Sequence, residues 1–124
     1  MRKAKLTSLD LPDFGSPASE PELGREIYVA RLAQLLARIA AQGLDALVIY
    51  GDREHVANIS WATGHDPRFE EAICIIVPGR TPTLLAGNEG FPYAEIANGS
   101  FERLLWQPLR SEERRVGKEC GDSC

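Results

Sequence analysis

No run of apolar residues in this chain approaches the length needed to cross a membrane, and the basic opening residues Met1 to Lys5 are not followed by the apolar stretch of a secretory signal. Cysteine is scarce, with three in 124 residues, one of them inside the apolar run "AICIIV", so a disulfide framework is not expected. There are only two histidines. Positive charge is not in excess either: the formal net charge is -4, which argues against nucleic acid as a partner. Together these absences point to a cytoplasmic chain with no membrane partner.

What remains is the composition of a soluble globular protein with room for one domain. A chain of this size buries roughly 60 to 70% of the surface its unfolded form exposes. Residues 1–18, with Pro12, Gly15 and Pro17 among small polar residues, read as a mobile N-terminal arm. Ser19 and Glu22 have the spacing of a capping box, with Pro21 tolerated in a first helical turn. Behind them Tyr28, Leu32, Leu35, Leu36 and Ile39 form one apolar stripe at helical spacing, and Gly43 supplies a left-handed stop.

The run Ala46 to Tyr50 is apolar without alternation, as in a strand covered on both faces. Asp52 is placed to cap a short helix carrying Val56 and Ile59, which Gly64 would end. Ala72 to Val77 and Thr83 to Ala86 read as a hairpin joined through Pro78, Gly79 and Pro82. "NEGFPYAEIANG" gives another short helix and "FERLLWQP" a fourth strand. The order implies an α/β fold, a mixed sheet flanked by helices.

Candidate chemistry is thin. His55 and His65 have acidic neighbours, but a two-metal hydrolytic site needs several ligands converging on ions about 3.5 to 4 Å apart, and too few are present. The loop residues Thr63, His65, Asp66, Arg68, Glu70 and Glu71 in "TGHDPRFEE" occupy the kind of position where binding residues concentrate, whereas Trp61 reads as a packing residue. Arg68 could clamp a carboxylate, although Asp66 and Glu70 also bracket it as surface ion-pair partners. Gly87, Glu89 and Gly90 match neither a P-loop nor a dinucleotide fingerprint and read as turn residues. Cys74 reads as core, where its thiolate is disfavoured.

The sequence "GLDALVIYGDREHVANISWATG", in which a strand leads through a short helix into an aromatic-x-Thr-Gly, and the later "PTLLAGNEG" resemble the N-terminal domain of the creatinase, prolidase and aminopeptidase P family. The resemblance runs from about Glu26 to Trp106. It implies a ribonuclease-H-like α/β domain, incomplete at its C-terminal end in this chain and spanning residues 19–109. In the family a C-terminal pita-bread domain follows and supplies two Asp, one His and two Glu to a pair of divalent metals, manganese, cobalt or zinc. None of those ligands can be assigned here.

By resemblance, then, the chain is a non-catalytic part of a metal-dependent Xaa-Pro peptidase or creatinase-like hydrolase. Its partners would be the missing catalytic domain and further copies in a homo-oligomer, and by position its Trp61, His65, Asp66 and Arg68 are the candidates for the rim of the active site. The alternative is a stand-alone protein-interaction module, as in catalytically dead relatives.

The tail differs from everything before it. From Arg110 to Cys124 it holds four basic and four acidic residues, two cysteines four apart and no histidine, so neither a phosphate-binding patch nor a zinc or redox pair is written there. Arg110 to Cys120 matches, residue for residue, the in-frame translation of a common short-read sequencing adapter. The expectation is that natural sequence ends near Leu109, that residues 110–124 are non-native, and that the sheet lacks its last strand and a covering helix, which leaves an apolar face wet.

Overall fold

In the computed structural model, residues 4–19 and 22–109 are described. Among the described residues eight elements form, seven of them in the order read from the sequence and the eighth a 3-10 turn. Helix α1 spans Arg25–Ala41, strand β1 Leu47–Gly51, helix α2 Ala57–Thr63, strands β2 and β3 Ala72–Ile76 and Thr83–Ala86. Helix α3, Gly90–Tyr93, runs into a 3-10 turn at Ala94–Ile96, and strand β4 covers Glu102–Leu105. The non-native tail proposed above lies outside the described residues.

The sheet has the order β1-β2-β3-β4. The first two pairings are antiparallel and β3 with β4 is parallel, so the sheet is mixed, as expected. Between β2 and β3 the chain reverses at Pro78 and Gly79. Gly79 has φ 78° and the Arg80 amide donates to the Val77 carbonyl at 3.1 Å, the arrangement that favours proline then glycine at the two central turn positions.

Alternation along the strands divides the sheet into two unlike faces. Ala72, Cys74 and Ile76 of β2 and Leu84 and Ala86 of β3 are buried, and with Ile39 of α1, Ile59 of α2 and Ala94 they make the core. Leu32, Leu35 and Leu36 of α1 pack against it, so the predicted stripe is the buried side of the helix. Burying a side chain such as Ile59, fully enclosed here, contributes about 1.5 to 3 kcal/mol. On the opposite face the register aligns Tyr50, Ile73, Leu85 and Leu104, beside Val48 and Ile75. Val48 is 61% and Leu104 50% exposed, and no helix among the described residues covers them.

Three expectations need correction. The first helix begins at Arg25, with Gly24 at its N-cap and no side-chain cap bond, so Ser19 and Glu22 do not form its capping box. The approach is held instead by Asn98, whose Nδ2 donates to the Leu23 carbonyl at 2.9 Å. Among the described residues strand β1 is not covered on both faces: it is an edge strand whose burial alternates, because α1 and α2 pack on one side only. Asp52 does not cap α2, whose N-cap residue is Val56. Its Oδ1 accepts the amides of Glu54 and His55 at 2.9 and 2.6 Å, closing the turn before the helix.

Candidate functional site

Helix α2 ends at Gly64, whose φ of 76° is open to glycine at little cost, and its amide donates to the Ser60 carbonyl at 2.8 Å. Thr63 then ties the helix end to the loop: its hydroxyl donates to the Ile59 carbonyl and accepts the His65 amide at 3.1 Å. Ser60 Oγ donates to the His65 carbonyl at 2.7 Å. The loop from His65 to Glu70 is therefore fixed at its root by two hydroxyl side chains of α2.

Within it the candidate residues take different positions. His65 is 2% exposed, enclosed rather than presented to solvent, and its Nδ1 has no hydrogen-bond partner among the described residues. Burial holds its pKa below the ordinary value, partly opposed by the negative charge of Asp66. The ring meets Tyr93 edge-on at 6.1 Å between centroids. Asp66 and Arg68 face outward and bind each other: Arg68 Nε and Nη2 donate to Asp66 Oδ2 at 2.8 and 2.6 Å. The hydrogen bond from Arg68, then the charge of Asp66, raises the guanidinium pKa further. The guanidinium carbon lies 5.7 Å from the centre of the Tyr93 ring, which Phe69 also meets edge-on at 5.3 Å.

Trp61 does not join this group. Its ring stacks under Arg31, 5.1 Å from the guanidinium, and Arg31 Nη1 donates to the Trp61 carbonyl at 3.0 Å. It lines a groove of about 530 Å³ between α1, α2 and β1. The structure thus gathers His65, Asp66 and Arg68 around Tyr93 and leaves Trp61 beside the sheet edge. Tyr93 and Phe69 were not among the residues singled out from sequence; the available clue was the aromatic that follows "GFP" in a short helix.

Glu70 closes the loop. Its carboxylate is buried and Oε2 accepts the amides of Glu89 and Gly90 at 3.0 and 3.3 Å, at the start of α3. A side chain at Gly87 would collide with that carboxylate, which accounts for glycine there as a packing requirement rather than a phosphate cradle. At the C-terminal end of β1, Tyr50 Oη donates to Asp52 at 3.1 Å and His55 Nδ1 lies 3.0 Å from the same carboxylate. The amide and imidazole of His55 hold Asp52 down to about 2, whereas lost hydration, then the Asp52 bond and Glu71, push Tyr50 up to about 12. Burial pushes Cys74 up to about 12, in keeping with a core thiol.

These donors do not fit a metal centre. No three His, Cys, Asp or Glu side chains among the described residues converge where they could hold an ion. Asp66 is taken by Arg68, Glu70 by backbone amides, and Asp52 by Tyr50 and His55. Nor is any helix among the described residues long and apolar enough to cross a membrane.

No curated protein matches the chain. The sequence profile of the Creatinase/Prolidase N-terminal domain matches residues 31–120. That span takes in α1 from its second turn, all of the sheet and the loop around Tyr93, and it continues past Leu109 into the stretch that also reads as translated adapter. The chain belongs to the creatinase/prolidase N-terminal domain family.

Proposed function

We propose that the chain is the non-catalytic N-terminal part of a metal-dependent Xaa-Pro peptidase or creatinase-like hydrolase. The observation that carries this reading is the pairing of a family match over residues 31–120 with a set of described side chains that cannot cage a metal. Two divalent ions, manganese, cobalt or zinc, belong in this reading to a C-terminal domain that supplies every ligand. The His65 to Arg68 loop, stiffened by Tyr93 and Glu70, then serves as part of the active-site mouth, and the chain contributes to oligomer contacts. Trp61, on another side of α2, belongs to such contacts rather than to the same stretch of rim.

A second reading, a stand-alone interaction module, has one observation in its favour: the open apolar sheet face of Val48, Tyr50, Ile73, Leu85 and Leu104. Amplifying and sequencing the source locus across codon 110 separates the two. A downstream frame carrying two Asp, one His and two Glu at metal-ligand positions supports the hydrolase. A natural stop near Leu109 overturns it in favour of the module. The same experiment decides the tail, since genomic DNA that encodes Arg110 to Cys120 removes the adapter proposal.

A further inference from the structure

Among the described residues, no strand pairs with the outer side of β1. Its five residues, "LVIYG", hold no charge, no proline and no bulge, and β2 pairs with only one of its sides. Beside the free side lies the groove of about 530 Å³, lined by Leu35 and Arg38 of α1, Leu47 and Ile49 of β1, and Asn58 and Trp61 of α2. Arg38 has no ion pair or hydrogen bond to any described side chain. An apolar groove with a lone cation beside an unpaired strand fits an extended segment that has spaced apolar side chains and negative charge.

The chain carries such a segment. In "KLTSLDLPDFG" every residue is exposed, including Leu6, Leu9, Leu11 and Phe14 at 75% or more, and none belongs to a helix or strand. Leu9, Leu11 and Asp13 share one parity, so in an extended conformation they point the same way. Pro12, which has no amide to donate, limits any pairing to the residues before it.

We propose that the arm of the same chain closes on this groove, with Thr7 to Leu11 added as a strand at the free edge of β1. Leu9 and Leu11 enter beside Leu35 and Trp61, and Asp13 meets Arg38. The reach is ample: the link from Leu11 to Gly24 can extend about 40 Å, while Leu35 lies only about 16 Å along α1 from that end. Tethering gives the chain's own arm a higher effective concentration than the arm of any second copy in dilute solution.

The test is amide hydrogen exchange on the full chain, compared with a Leu9→Ser, Leu11→Ser double variant. Both substituted positions are exposed in the open form, so the variant keeps its fold, and unchanged protection of β2 amides verifies this. Closure predicts that the β1 amides facing away from β2 exchange about tenfold or more slowly in the parent chain than in the variant, at any protein concentration. Equal rates in the two proteins overturn the proposal. So does protection that appears only on concentrating the sample, which would assign the groove to a second copy.

Discussion

Gly51 stands where β1, α2 and the candidate loop meet, and Gly51→Ala probes that junction. A methyl built there would sit 3.0 Å from Ile59 Cβ and 3.3 Å from Pro67 Cγ, and closer still to Ile59 Cγ2, whereas ordinary contact begins at 3.4 Å. Ile59 is fully buried, so it cannot swing into solvent. Forcing it back is overpacking, which costs about 1 to 3 kcal/mol. The lower backbone entropy of alanine in the unfolded chain returns about 0.4 to 1 kcal/mol. The net expectation is a loss of about 1 to 2 kcal/mol, read as a lower urea midpoint with unchanged slope or by pulse proteolysis. Ile59→Ala alone costs about 2 to 5 kcal/mol through the cavity it leaves. Combined with Gly51→Ala it loses less than the sum, because the new methyl enters the vacated space. Ile59→Val retains Cγ2 and gives no such relief. A neutral Gly51→Ala, or strict additivity with Ile59→Ala, would refute this packing.

Three other outcomes follow. Burial, partly opposed by Asp66, lowers the His65 pKa in the folded chain from 6.5, so near that pH the unfolded chain binds more protons and stability falls as pH drops below about 6.5; His65→Phe should flatten this part of a urea-midpoint profile, and an unaltered profile contradicts it. Cys74, 1% exposed and pushed up to about 12, should resist thiol reagents in the native chain and react once urea unfolds it; peptide mapping that finds it labelled natively at pH 8 refutes its burial. Glu70→Ala removes the carboxylate that accepts the Glu89 and Gly90 amides and should cost about 1 to 3 kcal/mol, with faster exchange at those two amides; unchanged exchange there removes the capping role.

Periodicity was a good guide wherever one face of an element meets the core. The stripe from Tyr28 to Ile39 marks the inner side of α1, and the turn at Pro78 and Gly79 places the β2–β3 hairpin within a residue of its observed bounds. It misled at β1, since five consecutive apolar residues, Ala46 to Tyr50, look alike whether a strand is covered twice or stands at an open edge. The helix start was misplaced because Ser19 and Glu22 offer local capping chemistry, while the contact that holds the approach to α1 is the bond from Asn98, 75 residues away.

The loop shows the same limit. Its polar residues were visible as "GHDPR", but the ring that His65 meets edge-on belongs to Tyr93, which the chain brings back only after β2 and β3. The separation of Trp61 from His65 follows from the helix stop: four residues apart they would share a helix face, but the left-handed Gly64 turns the chain before His65, and Arg31 of α1 claims the tryptophan.

The most direct test of the non-catalytic reading is turnover of an Xaa-Pro peptide by the purified chain supplied with manganese, cobalt or zinc, followed together with metal binding by calorimetry. The account predicts no hydrolysis and no stoichiometric ion. Metal-dependent cleavage, with two ions held by this polypeptide alone, would contradict it.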